Sequence, residues 1–310
     1  MTSSAVGPSS PVSSGVVESP GQRHERRRGV VWFLVLSFGL AWGAWAVALV
    51  GGYSLDQPLV QLLTAAFVPA LAAITTRAWI TGEGFADAGL RPRFRPARRQ
   101  YVAALAMPLL ALPVALLLCA VVGLWSPQPA DLIRPAFLLL VVASPLLCLL
   151  AAPVFWGEEF GWTAYLRPRL LPGRPVASTF VVGIIWGVWH WPLPFIGYFG
   201  PNRYVTELVG SLAMWLVLSV VLEILISWLW FASGSVWPSC LLHGGANLVV
   251  SGGMAEVIGQ DVNVNVTTIV LCLAYLPLVV WIIVSGHAGG RAPRWGVEST
   301  RPAPTATILP

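Results

Sequence analysis

Long apolar runs, separated by short polar or Gly/Pro-marked breaks, are the feature that most constrains what this chain can fold into. A membrane-crossing helix needs about 20 apolar residues to span roughly 30 Å of hydrocarbon, and several runs reach that length. The composition agrees, because 56% of the residues are hydrophobic and only 10% are charged, which is not typical of a soluble domain of this size. The sequence therefore predicts an all-α polytopic membrane protein.

The apolar runs predict eight transmembrane helices joined by short connections. They are placed at residues 30–51, 58–80, 101–124, 132–155, 176–197, 207–231, 236–254 and 266–285. Residues 1–28 are rich in Ser, Pro, Gly and Val and too polar to pack a core, so they are expected to be a disordered cytoplasmic tail. Residues 287–310 are expected to be a second such tail, and residues 29–286 the membrane domain.

The arginines support an even number of spans. All 18 basic residues are arginine, and they are dense before the first span, between spans two and three, between spans four and five, and after the last. Since cytoplasmic connections carry the excess of arginine, both termini are expected in the cytoplasm. Membrane topology thus explains the net charge of +5, and no nucleic-acid partner is expected. The absence of lysine, with the Ala, Gly and Pro content, indicates a bacterial source and hence the bacterial plasma membrane.

Five ionisable residues lie within or beside the apolar runs: Glu158, Glu159, His190, Glu223 and His243. An ionisable group at membrane depth is costly, so each is a functional candidate. Adjacent helical residues point about 100° apart, and one glutamate of the pair is expected to be the reagent and the other its support. No motif surrounds Glu223, which favours a structural or snorkelling role for it over a catalytic one.

Two histidine motifs complete the candidate cluster. Trp186 and His190 are four residues apart, as are His243 and Asn247, and this spacing places each pair on one helical face. A buried asparagine, two buried histidines and a glutamate pair could polarise water for hydrolysis or hold a metal. Simpler interpretations are hydrogen bonds between packed helices and an interfacial ion pair between the glutamates and nearby arginines.

Three motifs in order resemble a known family: EEFGWTAYLRPRL, then WGVWHWPLP, then SVWPSCLLHGGAN. The chain resembles the CPBP family of intramembrane proteases, which includes the type II CAAX prenyl endopeptidases and bacterial relatives linked to bacteriocin processing and immunity. The resemblance covers roughly spans three to eight, with core motifs in residues 153–250. It implies a conical catalytic cavity within the membrane.

The resemblance also implies residue roles. Glu158 would be the general base that activates water, and His190 would hold and polarise that water. His243 and Asn247 would stabilise the oxyanion. The supporting residues would be Glu159, Arg167 and Trp186. The preferred interpretation needs no cofactor. An alternative assigns zinc to Glu158, His190 and His243, so the sequence leaves a glutamate protease and a metalloprotease open.

One residue departs from the family pattern. The first motif usually has an arginine four residues after the second glutamate, and this chain has Thr163 there. Thr163 supplies no charge to balance the glutamate pair, so Arg167 or Arg169 is expected to reach back along the helix.

The leading hypothesis is an intramembrane endopeptidase that cleaves a membrane-associated or CAAX-like peptide or protein, with the lipid bilayer as its other partner. The alternative is a non-catalytic peptide-binding or bacteriocin-immunity protein that uses the same cavity, for which Thr163 is the argument. A small-solute transporter is a third hypothesis, against which stands the absence of an internal repeat. The sequence predicts no oligomeric state.

Overall fold

The structure is a computed structural model, and it describes residues 18–53, 57–195, 204–259 and 264–287. Within these residues every regular element is a helix, and seven helices are long and apolar enough to cross a membrane. We number the long helices α1 (Pro20–Val50), α2 (Leu59–Ile80), α3 (Arg98–Val121), α4 (Pro135–Leu170), α5 (Pro175–Phe195), α6 (Val205–Ser233), α7 (237–258) and α8 (Val264–Val284). The prediction of an all-α polytopic membrane protein is confirmed.

Seven of the eight predicted spans correspond to these seven apolar helices. The remaining predicted span, 236–254, lies in α7. Helix α7 is not among the helices that are apolar enough to cross a membrane. The reason is local, since α7 carries His243, Asn247 and several glycines. Among the described long helices, the one that carries the third motif is therefore the one not apolar enough to cross a membrane by this measure.

Helix α1 begins earlier than the sequence analysis expected. Ser19 caps it, because its hydroxyl accepts from the Gln22 backbone N–H at 3.2 Å while the Gln22 side chain accepts from the Ser19 N–H at 2.9 Å. This reciprocal capping box satisfies two backbone donors, and Pro20 suits the first helical position. The expected disorder of residues 20–28 is therefore wrong. Residues 1–17 and 288–310 of the predicted tails lie outside the described residues.

Helices α4 and α7 both widen where their motifs lie. In α4 the regular helix Pro135–Glu159 continues into wider π-helical turns at Phe160–Leu166. In α7 the helix Trp237–Gly245 continues into π-helical turns at Ala246–Ser251. Such turns are uncommon in proteins and are frequent at functional sites. Both motifs therefore lie where the helix changes its winding.

Glycines let α4 approach α2 closely beside the glutamate pair. A Cβ atom built on Gly157 would overlap the carbonyl oxygen of Ala66, and one built on Gly161 would overlap Pro69. The two glycines therefore bring the backbone of α2 against α4. On its other sides α4 packs on α7, and α5 packs on α6. These contacts fix the depth and rotation of the residues between the two glycines.

Ion pairs attach the α2–α3 loop, residues 81–97, to the arginine-rich end of α4. Asp87 accepts from the Arg77 Nη1 at 2.7 Å and from the Arg169 Nη2 at 2.7 Å, and Glu83 lies 3.2 Å from Arg169. We call Arg77, Glu83, Asp87 and Arg169 the arginine–carboxylate cluster. Burial raises the pKa of Asp87, but its bonds to the two arginines outweigh this and hold that pKa below its usual value. Arg169 therefore pairs with the loop and not with the glutamate pair.

Candidate active site

The carboxylate of Glu158 points toward the second motif. Trp186 in α5 donates its indole N–H to Oε2 of Glu158 at 2.8 Å. Glu158 is partly exposed, whereas Trp186 is buried. A hydrogen bond to a charged acceptor is stronger than one between neutral groups. Trp186 thus fixes one oxygen of Glu158 while the residue keeps some access to its surroundings.

The carboxylate of Glu159 points elsewhere, toward the third motif. Its Oε1 lies 2.8 Å from Nδ1 of His243, and its Oε2 accepts from the Thr163 hydroxyl at 2.7 Å. Both Glu159 and His243 are buried. The two adjacent glutamates therefore contact different neighbours, as the helical geometry predicts, and Glu159 holds the imidazole of His243. Thr163 supplies a hydrogen bond where the family pattern has an arginine.

His190 is held among three tryptophans at the end of the main part of α5. Its ring stacks on Trp215 at 4.2 Å between centroids and meets Trp189 edge-on at 4.8 Å. Its Nδ1 lies 2.9 Å from the Trp186 carbonyl oxygen. Because a carbonyl oxygen only accepts, Nδ1 carries the hydrogen, and Nε2 of the neutral ring is left as an acceptor.

Trp186 joins the three motifs. Besides its bond to Glu158, its ring lies 5.1 Å from that of His243 and 5.5 Å from that of His190, in both cases edge-on. The ring of Phe155, one turn before the glutamates, covers His243 at 4.6 Å. The predicted cluster of the glutamate pair, Trp186 and the two histidines is therefore assembled by direct contacts.

Asn247 differs from its prediction in one respect. It was expected to be buried, and the structure leaves it exposed. Its amide nitrogen donates to the His243 carbonyl oxygen at 3.1 Å, so the four-residue spacing does place it beside His243. The side chain lies at the open edge of the cluster because α7 widens at Ala246–Ser251.

Arg167 forms its ion pair with Glu223 rather than with the glutamate pair. Its Nε lies 3.8 Å from Oε1 of Glu223, and both side chains are 1% exposed. Its guanidinium also lies over the rings of Trp230 at 4.5 Å and Phe231 at 4.0 Å. The direct ion pair of Arg167 is therefore with Glu223 and not with the glutamate pair, and the burial of Glu223 excludes a snorkelling role.

The alternative zinc set was Glu158, His190 and His243. Among the described residues, no three His, Cys, Asp or Glu side chains lie close enough together to hold a metal ion. The donors as arranged here do not fit a three-ligand zinc site, and we assign no step to a metal.

Sequence reasoning missed two aromatic residues of the site, Phe155 and Trp215. Both lie in apolar runs that also serve as membrane spans, so their sequence context does not distinguish them from lipid-facing or packing residues. Trp215 is 25 positions from His190 and on another helix, and only the packing of α5 on α6 brings the rings together. The four-residue spacing of Phe155 and Glu159 was the one available signal for Phe155.

Comparison with known proteins identifies the segment that carries the site. Residues 134–249 match the family model described as type II CAAX prenyl endopeptidase Rce1-like, and no curated protein matches the chain. The match contains all three motifs and runs from the start of α4 into α7. Helices α1, α2, α3 and α8 lie outside it, so the resemblance is narrower than the expected spans three to eight. The segment that carries the candidate site, residues 134–249, is therefore similar to the Rce1-like family of type II CAAX prenyl endopeptidases.

Proposed function

We propose that this protein is an intramembrane endopeptidase that hydrolyses a peptide bond in a membrane-associated, CAAX-like peptide or protein. The observation that carries the proposal is the contact of Trp186 with Glu158, His190 and His243 inside the Rce1-like segment. The arginine-rich ends of the helices are assigned to the cytoplasmic side.

Glu158 is assigned as the general base. Its Oε2 is held by Trp186, and its other oxygen is assigned to the attacking water. The water oxygen bonds to the scissile carbonyl carbon while one proton passes to Glu158. Glu158 then gives that proton to the amide nitrogen as the carbon–nitrogen bond breaks. General base catalysis of this kind contributes about 10²–10⁴-fold in rate.

His190 is assigned to orient the water. Its Nδ1 hydrogen is committed to the Trp186 carbonyl oxygen, so the neutral ring presents Nε2 as an acceptor. Stacking on Trp215 fixes the plane of the ring. An acceptor fixed in this way can hold one hydrogen of the water while Glu158 removes the other.

His243 and Asn247 are assigned to the oxyanion. The Asn247 amide has two N–H donors, of which one is used by the His243 carbonyl oxygen and the other is assigned to substrate. Glu159 holds Nδ1 of His243, and in its protonated form the ring donates from Nε2 as well. Each donor aimed at an oxyanion contributes about 3 kcal/mol.

Cleavage by purified protein in lipid vesicles tests the proposal. The substrates are peptides ending in CAAX-like sequences, each with and without a prenyl group, and the proteins are the wild type, Glu158→Gln and His243→Ala. We expect cleavage by the wild type and a loss of about 10²-fold or more in kcat for Glu158→Gln. A parallel assay with a zinc chelator should leave the wild-type rate unchanged.

Glu256→Gln is the matched control, because Glu256 is exposed in α7 and outside the cluster. It should cleave at the wild-type rate. Wild-type activity in Glu158→Gln would contradict the assignment of the base, and loss of activity with the chelator would contradict the metal-free route. Binding of the peptides without any cleavage by the wild type would identify a non-catalytic binding protein instead.

A further inference from the structure

Charge is unbalanced around the glutamate pair. Glu159 and Glu223 are each 1% exposed, and Arg167, 2% exposed, lies among them. The other two buried arginines of the described residues, Arg77 and Arg169, belong to the arginine–carboxylate cluster. Among the buried arginines of the described residues, Arg167 is therefore the one outside the arginine–carboxylate cluster.

The ion pair of Arg167 with Glu223 is loose. Its shortest separation is 3.8 Å, and none of the three guanidinium nitrogens has a hydrogen-bond partner among the described residues. Two aromatic rings hold the guanidinium instead. No bidentate bond commits this charge to Glu223. Arg167 follows Glu159 by eight residues, about two turns, in the same helix, and helical side chains lean toward the N-terminus of their helix, so the charge of Arg167 also acts on the carboxylate of Glu159. Such an interaction is stronger in a low-dielectric interior than in water.

Glu159 needs that charge. It is buried, it contacts Nδ1 of His243, and its second oxygen accepts from Thr163. The threonine hydroxyl donates one hydrogen bond and carries no charge. A buried carboxylate without a compensating charge is costly, and Glu223, itself a buried carboxylate, repels it.

We propose that Arg167 and Glu223 form a buried positioning pair in which the charge of Arg167, kept in place by Glu223, holds the Glu159 carboxylate on His243. Arg167 attracts the carboxylate of Glu159. Glu223, to which the Ser227 hydroxyl donates at 2.8 Å, keeps Arg167 in place. Neither residue touches the substrate. The catalytic consequence rests on the proposed function, whereas the geometric consequence, the contact of Glu159 with His243, does not.

Removing both charges separates positioning from stability. Replacing a buried ion pair by apolar residues is often neutral or stabilising, whereas removing one partner is strongly destabilising. The double variant Arg167→Met/Glu223→Leu should therefore remain folded, with a thermal midpoint close to that of the wild type. We expect its kcat to fall about tenfold or more with KM nearly unchanged. A wild-type kcat in this folded variant would show that the pair is only structural.

Moving the charge tests the direction of the effect. Thr163 lies against Glu159, so adding Thr163→Arg to the double variant supplies a guanidinium to the same carboxylate. We expect kcat to recover most of its loss. A folded triple variant whose kcat stays at that of the double variant would overturn the proposal. If the double variant does not fold, two single variants replace it. Arg167→Lys keeps the charge and should retain kcat, whereas Arg167→Gln removes the charge and should lose kcat. Equal kcat values for these two variants would overturn the proposal.

A readout without catalysis keeps this inference distinct from the proposed function. The Nδ1–H proton of His243 donating to a carboxylate gives a downfield NMR resonance, recorded on protein with labelled histidine in lipid. We expect it in the wild type, absent or shifted in the double variant and restored in the triple variant. An unchanged resonance in the double variant would overturn the positioning role. If the wild type cleaves nothing, the proposed function fails, and this resonance alone decides the inference.

Discussion

Trp186 is the residue on which the geometry of the site depends most, because its N–H and its ring contact members of all three motifs. The sequence alone placed Trp186 beside His190 through their four-residue spacing. It did not predict the bond to Glu158, since residues 28 positions apart on different helices meet only through tertiary packing.

Trp186→Phe should lower kcat by about tenfold or more, because a hydrogen bond to a charged acceptor contributes roughly 1.5–3 kcal/mol. The phenyl ring keeps most of the packing against both histidines, so the thermal midpoint should change little. Peptide cleavage and thermal unfolding in the same detergent measure the two effects.

Trp45→Phe is the control for the loss of a buried indole. Trp45 is 1% exposed, and its N–H has no hydrogen-bond partner among the described residues. This variant should retain the wild-type kcat. If Trp186→Phe were as active as Trp45→Phe, the bond to Glu158 would have no part in the reaction.

At the scale of the elements, α4 carries the site because glycines bring it against α2. The same two positions that admit the α2 backbone, Gly157 and Gly161, flank the glutamate pair. Packing of this kind is typical of membrane helices, in which small residues allow close backbone approach.

Gly157→Ala should therefore destabilise the protein, because its methyl group overlaps the Ala66 carbonyl oxygen. Overpacking costs roughly 1–3 kcal/mol, and the thermal midpoint in detergent should fall. Gly43→Ala in α1 is the matched control, since nothing lies within 4 Å of the added Cβ. It should leave the midpoint unchanged or raise it, as alanine is the better helix former. Equal midpoints for the two variants would contradict the close packing.

The helices themselves are largely predictable from the sequence, and the exceptions have local causes. Apolar length determines the spans, so seven of them agree with the structure. The start of α1 was missed because tail-like composition outweighed the capping box at Ser19. The π-helical turns after Glu159 and those at Ala246–Ser251 are not visible in the hydrophobic pattern of the sequence. The exposure of Asn247, which lies in the second set of turns, was therefore not predicted.

At the scale of the whole molecule, the arginine–carboxylate cluster joins the α2–α3 loop to the end of α4. Asp87 is its central member, because both arginines donate to it. Its pKa lies below the ordinary 3.8. The stabilisation it provides is therefore complete above that value and is lost as the pH falls through the lower pKa of the folded state.

Hydrogen exchange in residues 81–97 should therefore accelerate in Asp87→Asn at neutral pH. In the wild type the protection should stay constant from neutral pH down to about 4 and fall at more acidic pH. Asp131→Asn removes a carboxylate that pairs with Arg134 in a different connection and should leave exchange in residues 81–97 unchanged. Protection in Asp87→Asn equal to that of the wild type would show that the cluster does not hold the loop.

The sequence predicted which residues form the candidate site, but it did not predict which charged residues pair with one another. The motifs predicted the glutamate pair and both histidines because intramembrane ionisable residues are few. The partner of Arg167 was missed because Glu223 is 56 positions away with no motif around it. Long-range ion pairs leave no spacing pattern along a chain, so only the folded structure brings them out.

The close approach of α4 to α2 determines which substitutions residues 157–163 tolerate, and for what reason. Gly157 and Gly161 admit a neighbouring backbone, Glu158 contacts Trp186, and Glu159 with Thr163 orients a histidine. In a scan of all single substitutions these positions form one intolerant block with three different causes. Comparing the cellular abundance of each variant with its activity separates them, because substitutions at the glycines reduce abundance whereas substitution of Glu158 reduces activity alone.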